Sequence, residues 1–443
     1  MTDESTEQSE KYVNFALKNG ADEALIIIDD SHNRQVRFSK NEIDIINDWI
    51  SETITIYITK NKKQIITTVS RADNAEERIK QSIKQTDSLN ENINYNGIAK
   101  GSMKYRNLVY CRDIEKIEDP TDIVDEAING ALNNGAKSVG GTLYIYNMKR
   151  SLSSSEGPCG FDKSTGVSLS IRAFGQDDSS GHWVSVTPNL NELYPFESGK
   201  KAAEITTLQP YKQTKIEAGA GIYDVILSPM FTGSLISNIS EMISAFSVEV
   251  GQTIFINKLN EVVAPDFVTF SDYADDGVIS KRIFDDEGYP IQKTKWLEKG
   301  ILKTYLHNTS TAKRFNVNST GNAGLIEPTP FFTYMDAGDS TLNEMIKETK
   351  HGLYFTNTWY TRYQNMYTGD FSTIPRDSMF VIENGEIAGR CKSLRVSDNI
   401  ASLLKNIELI SKDRYQIQWW GEARIPSLSP YLKIKNVHIT TSR

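Results

Sequence analysis

The chain has 443 residues, 39% of them hydrophobic, and a formal net charge of -8 from 49 Lys plus Arg against 57 Asp plus Glu. Its length exceeds what one compact core holds and predicts two units of roughly 200 residues each, while an acidic chain without a basic tract is poorly suited to the phosphate backbone of nucleic acid. Its three cysteines, Cys111, Cys159 and Cys391, are dispersed and form no CxxC pair, so neither a disulfide framework nor a local thiolate metal site is expected, which fits a reducing cytoplasm.

The acidic N-terminus has no apolar run and does not read as a signal peptide. A helix is expected over Glu7–Lys18, stopped by Gly20, then a buried strand over Ala24–Ile28, which is far short of the ~20 apolar residues of a membrane span. Arg37–Ile46 and Thr53–Ile58 read as further strands, and Thr53–Ile58 with Gln64–Val69 as a hairpin about Lys60-Asn61-Lys62. Ala75–Gln85 and Thr121–Asn133 read as helices, separated by an Asn-rich loop at Ser88–Ser102. Strands follow at Gly141–Asn147, Val167–Phe174 and His182–Val186, the last two about the Gly175–Gly181 turn, then a helix at Glu197–Leu208. The first half is therefore α+β, an antiparallel sheet with flanking helices.

A composition shift at Gln209–Gly221 places the boundary near Lys212, giving units 1–212 and 213–443. Tyr223–Leu227 is a strand. Pro229 starts a helix whose apolar stripe runs through Leu235, Ile236, Ile239, Met242, Ile243 and Phe246. From Thr253 onward, short alternating runs between Gly, Asn and Asp turns predict an antiparallel, barrel-like β-unit, interrupted by one helix at Asp398–Leu409.

Catalytic zinc takes typically three ligands from His, Cys or carboxylate. The histidines, His32, His182, His307, His351 and His438, never share a helix, and no HExxH or HExxxH string exists. Nor is there a GxSxG elbow, a GxGxxG or a P-loop. Asp285, Asp286 and Glu287 precede Gly288 and read as a turn, with acid–base work as the alternative. Glu241 lies off the apolar stripe of its helix and reads as solvated or interfacial. The aromatics Tyr354, Phe355, Trp359, Tyr360, Tyr363, Tyr367 and Phe371, like Trp419 and Trp420, suit either a groove or interface or a sheet core.

Several strings in the second half, in their order and spacing, resemble the TldD/PmbA family, formerly described as modulators of gyrase. They are FDDEG at Phe284–Gly288, Leu302–Asn308 with Thr311-Ala312, STGNA at Ser319–Ala323, TGDFS at Thr368–Ser372, IENGEIA at Ile382–Ala388 and LLKNI at Leu403–Ile407. The first half is similar but less distinctive. The resemblance implies an α/β N-terminal unit and a β-rich, barrel-like C-terminal one. It also implies pairing of a TldD-type with a PmbA-type (TldE) subunit and zinc-dependent proteolysis of unfolded or flexible peptides. In the TldD-type subunit a helix carries HExxxH and a C-terminal cysteine completes the site. Carried over, the motif falls on Ser237, Asn238 and Met242, and Gly421-Glu422 stand near the cysteine's place. A thioether is a weak zinc donor and an amide cannot act as a carboxylate base.

The resemblance therefore implies a PmbA-type subunit with no metal or cofactor of its own, zinc being expected only in a TldD-type partner. The implied partners are that subunit or a second copy, plus an unfolded peptide, with no nucleic acid and no membrane. A homodimeric peptide-binding scaffold is the alternative. Peptide contacts are expected at Ser319, Thr320, Gly321, Asn322, Trp359 and Tyr363. Thr373–Asp377 departs from the glycine-containing stretch usual after TGDFS, which implies an altered substrate-facing loop.

Overall fold

The computed structural model describes residues 4–70, 73–176, 178–208, 216–419 and 421–441. The first half contains α1 (Glu4–Lys18), β1 (Glu23–Ser39), β2 (Glu42–Lys60), β3 (Lys63–Ser70), α2 (Ala75–Thr86), α3 (Arg112–Glu115), α4 (Thr121–Leu132), β4 (Ser138–Ser154), β5 (Cys159–Phe174), β6 (Ser180–Thr187) and α5 (Pro195–Thr207). Its strands form one antiparallel sheet in the order β3-β2-β1-β4-β5-β6. The β2–β3 hairpin turns at Asn61 and Lys62, both left-handed (φ 51° and 57°), the geometry a two-residue connection between twisted strands requires. Arg37–Ile46, expected as one strand, contains a second such turn at Lys40 and Asn41 (φ 50° and 73°). Neither Gly nor Pro marks it, and Asn is among the residues that tolerate this region.

The helices cover this sheet in two patches. Ile26, Ile28, Ile54, Ile56 and Ile58 pack in one buried cluster with Val13, Ala16, Ile79 and Ile83 of α1 and α2. Leu143, Ile145, Leu169 and Ile171 do the same with Val124, Ala127, Ala131, Ala202 and Ala203 of α4 and α5. These last two helices meet closely enough that a Cβ on Gly199 would lie 1.9 Å from the Ala127 carbonyl oxygen. The outer part of β2 is different. β3 pairs only with residues 53–60, so residues 42–52 are bonded to β1 alone among the described residues, and Ile45, Ile46, Trp49 and Ile50 are exposed there.

The second half contains β7 (Gly221–Leu227), α6 (Pro229–Met242), α7 (Ala245–Glu249), β8 (Phe270–Asp272), β9 (Thr294–Glu298), β10 (Ile301–Leu302), α8 (Thr309–Phe315), β11 (Thr333–Met335), α9 (Leu342–Lys347), β12 (His351–Asn365), β13 (Asp370–Glu383), β14 (Glu386–Cys391), β15 (Leu394–Asn399), α10 (Ile400–Lys405), β16 (Ile407–Trp419) and β17 (Ala423–Thr441). Successive pairings β7–β12, β12–β13, β13–β15, β15–β17 and β17–β7 return to the starting strand, so this part of the sheet closes on itself.

The sheet is mixed rather than antiparallel throughout, because β7–β12 and β11–β17 run parallel. Parallel pairs need long crossovers, which no local turn signal announces. The helix expected at Asp398–Leu409 is only Ile400–Lys405, capped by the Asn399 side chain on Ala401 and Ser402 N–H and flanked by β15 and β16. Two unexpected short helices, α8 and α9, each start with a capping box, Asn308/Thr311 and Thr341/Glu344. The architecture is mixed α+β, and its two sheets fall on either side of the expected boundary at Lys212, which lies outside the described residues. No helix among the described residues is long and apolar enough to cross a membrane.

Candidate functional site

The helix carrying the motif positions is built by strong local signals. Ser228 caps α6 through its side chain, which accepts from Phe231 N–H, and Pro229 occupies the first turn, where a missing N–H costs nothing. Phe231, Leu235, Ile236, Ile239 and Met242 enter the main core of the second half. Gly233 permits close approach to β16, since a Cβ there would lie 2.5 Å from Ile417 Cγ2.

Ser237, Asn238 and Met242 each have partners of their own within the fold. Ser237 Oγ accepts from Ile425 N–H at 3.0 Å. The Asn238 amide donates to Ser234 O at 2.7 Å. Met242 is buried, with only 4% exposed. Two of the three are thus engaged in holding α6 to itself and to β17, and the third is core. Among the described residues, no group of three or more His, Cys, Asp or Glu side chains is placed to hold a metal ion.

Two of these positions, Asn238 and Met242, nonetheless border a cleft of about 400 Å³, lined also by Glu241, Tyr363, Met366 and Arg424 among others. Glu241 pairs with Arg424 at 2.8 Å across it. Burial raises the Glu241 carboxyl above its ordinary range, against the pull of that guanidinium. Burial, reinforced by the Glu241 charge, also raises the Tyr363 phenol, whose buried hydroxyl has no partner among the described residues.

The acidic cluster is tied into a hydrogen-bonded turn. Asp285 is fully buried, and its carboxylate accepts from the N–H groups of Glu287, Tyr289 and Ala323 around a turn that Gly288 completes at φ 79°. Burial, then repulsion from Glu287, pushes its pKa well up. Asp286 meets Arg150 at 2.8 Å and Arg282 at 3.2 Å, and Arg150 reaches back to Asp29 in β1. Glu287, raised to about 7 chiefly by burial, accepts from Thr309 N–H.

Ser319–Asn322 run through a bend at Gly321, φ 69°. His307 N–H donates to Thr320 Oγ1 at 2.8 Å, Gly321 N–H donates to Ser319 Oγ, and Asn322 donates to the buried Asp272 at 2.6 Å and to Thr329 O. Asn322 thus contacts Thr329, which lines the same cleft as Tyr363, although Ser319–Asn322 do not themselves line it.

The aromatic cluster divides. Tyr354, Phe355 and Phe371 are core, Tyr360 and Tyr367 are exposed, and Trp359 stacks on Trp419 with ring centroids 5.8 Å apart. Trp420 lies outside the described residues. Trp419 forms a wall of a second cleft, about 370 Å³, between the two sheets. Thr142, Tyr144, Tyr146, Ser168 and Ser170 line one side, and Gln418, Trp419, Ala423 and Arg424 the other.

Behind Ser170 lies a buried polar chain that the sequence reading missed. His182 Nε2 is 2.8 Å from Ser170 Oγ, and its Nδ1 is 2.9 Å from Asn357 Nδ2. Asn357 Nδ2 also donates to Asp377 Oδ2 at 3.1 Å, and Asp377 Oδ1 takes the Ser180 hydroxyl and lies 2.9 Å from Arg172. Burial, then the Arg172 charge, lowers His182 to about 3. Burial works against ionisation of Asp377, but Arg172 holds its carboxyl below the usual range. Thr373–Asp377, expected as a loop, is part of β13, with Asp377 left-handed at φ 62°. The only sequence signal was its departure from the family pattern.

Comparison with known proteins agrees with this architecture. The family models for the PmbA/TldA metallopeptidase C-terminal domain and central domain match residues 220–441 and 112–209. A metalloprotease of Methanocaldococcus jannaschii is 32% identical over 44% of this chain and 44% of its own length. A TldD homologue of Buchnera aphidicola is 29% identical over 54% of this chain and 48% of its own. The chain thus spans about half the length of these curated relatives. Two solved structures share the fold. One, titled a modulator of a DNA gyrase from Thermotoga maritima, has a TM-score of 0.84 at 23% identity, covering 99% of this chain and 100% of that one. The other, TldE from Thermococcus kodakarensis, has a TM-score of 0.81 at 20% identity, covering 97% and 99%. With its C-terminal half matched end to end by the family model and its whole length following the family's fold, the chain belongs to the PmbA/TldD family.

Proposed function

We propose that this chain is the non-metal-binding subunit of a TldD/TldE-type metalloprotease acting on unfolded or flexible peptides. Its part is to pair with a zinc-bearing TldD-type subunit and to hold an extended substrate. The observation that carries this reading is the state of α6. Its packing is complete, while Ser237 and Asn238 are committed to hydrogen bonds and Met242 to the core. A peptide held in extended form is recognised largely through its backbone, which suits a protease for unfolded chains.

Pairing is supported by the outer stretch of β2, residues 42–52, an exposed edge bearing Ile45, Ile46, Trp49 and Ile50. An unpaired edge of this kind is a template for another chain. The same edge also favours the rival reading, a homodimeric peptide-binding scaffold. The free thiols of Cys111, Cys159 and Cys391 suit a reducing cytoplasm. Co-expression with an HExxxH-bearing homologue tests the proposal. The two chains should co-purify, and only the pair should cleave an unstructured peptide. Recovery of self-pairs alone, in cells containing a TldD-type protein, would favour the scaffold.

A further inference from the structure

Ser170 and His182 sit at the distance of a serine–histidine dyad, but the hydrogen bonds behind them run the wrong way for a nucleophile. The Asn357 amide is oriented by two neighbours: its Oδ1 accepts from Thr358 N–H at 2.8 Å, and its Nδ2 donates to Asp377 Oδ2. The second N–H of that nitrogen therefore points at His182 Nδ1, which must accept it. A neutral imidazole accepting at Nδ1 carries its proton on Nε2, so His182 donates to Ser170 Oγ. With its oxygen accepting, Ser170 has its own proton free for the cleft. Asp377, Asn357 and His182 thus form a directed chain that ends in an O–H donor.

Around Ser170 the cleft is also lined by the hydroxyl side chains Thr142 and Ser168 and by the Trp419 indole, whose Nε1–H is itself buried. Arg424 lines both this cleft and the one beside the motif positions, and so makes them neighbours. Opposite lie Tyr144 and Tyr146, stacked with centroids 5.8 Å apart, offering apolar ring area beside the polar row. An occupant must bring acceptor oxygens and apolar bodies together, as an extended peptide does.

We propose that Ser170 is a peptide-binding residue, its hydroxyl donating to a backbone carbonyl of a substrate segment that lies across Tyr144 and Tyr146 toward the Asn238–Arg424 cleft. This rests on the reading that the chain holds a peptide, and it assigns the first-half sheet a share in that task.

The test is fluorescence anisotropy of a labelled unstructured peptide, as free acid and as C-terminal amide. The full-length chain is used in complex with its TldD-type partner, under chelation so that nothing is cleaved. Ser170→Ala should weaken binding of both peptides about 3- to 10-fold, the worth of one hydrogen bond, and Ser170→Thr, which keeps the hydroxyl, should bind within about 2-fold of wild type. Nitrogen-15 NMR should find the His182 proton on Nε2. Wild-type affinity in Ser170→Ala, or a proton on Nδ1, would overturn the assignment while leaving the proposed function standing. A loss confined to the free acid would overturn it in favour of a terminal carboxylate. No binding by the wild-type complex would overturn the proposed function and this residue's role together.

Discussion

Arg150 gives the sharpest test of whether the acidic cluster at Asp285–Glu287 is structure or chemistry. Its guanidinium holds Asp29 of β1 through two bonds of 2.7 and 2.9 Å and Asp286 of the second half at 2.8 Å, with its side chain 18% exposed. Arg150→Met keeps much of the apolar stem and removes the charge. Breaking a buried pair by removing one partner costs about 3–5 kcal/mol, because the other charge is left uncompensated. Here the cost is smaller. Asp286 keeps Arg282 at 3.2 Å, and Asp29 is 21% exposed and so partly hydrated; about 2–3 kcal/mol is expected. Adding Asp29→Asn removes the stranded charge and should recover more than half of the loss. Denaturant unfolding of the three proteins measures this, and peptide cleavage by the complex should follow folding alone. A single-variant cost under about 0.5 kcal/mol, or no recovery in the double variant, would refute the reasoning.

Burial lowers the His307 pKa to about 4, whereas the unfolded chain titrates near 6.5. The unfolded state therefore binds more protons below pH ~6.5, and this residue's contribution to stability is lost as pH falls toward 4. The unfolding free energy of His307→Gln relative to wild type should rise by about 2 kcal/mol between pH 6.5 and 5, and a flat difference would contradict the neutral imidazole. Gly199→Ala should lower stability by about 1–3 kcal/mol despite alanine's better helix propensity, since its Cβ would meet the Ala127 carbonyl at 1.9 Å. Thermal melts read the sign. Grafting Ser237→His, Asn238→Glu and Met242→His together should restore neither stoichiometric zinc nor chelator-sensitive cleavage. Gly421 and Ala423 bring no ligand, and Glu422 is engaged with the N–H groups of Tyr360 and Thr361; elemental analysis of the triple variant checks it.

What was legible in the sequence was what is encoded locally. Pro229 after a serine cap and the Lys60-Asn61-Lys62 turn place their elements correctly, whereas the apolar stripe runs on through Ile243 and Phe246, past the end of α6 at Met242 and into α7. The turn at Lys40-Asn41 was hidden because no glycine marks it. The closure of the C-terminal sheet depends on pairings such as β17 with β7, between strands about 200 residues apart, although the family resemblance anticipated a barrel-like unit. The motif positions were found by that resemblance, and the cleft that two of them border joins Asn238 and Met242 to Tyr363. Ser170, His182, Asn357 and Asp377 could not be grouped in advance, since they come from four strands or strand segments and only the fold brings them into hydrogen-bond order.

On the proposed function, this chain holds no zinc of its own and depends on a subunit that does. Zinc content and peptidase activity are to be measured on the isolated chain and on its complex with a TldD-type subunit. The expected result is no stoichiometric zinc and no cleavage for the chain alone, with about one zinc per heterodimer and chelator-sensitive cleavage for the pair, the open-site stoichiometry of a catalytic metal. Chelator-sensitive proteolysis by the isolated chain would contradict it.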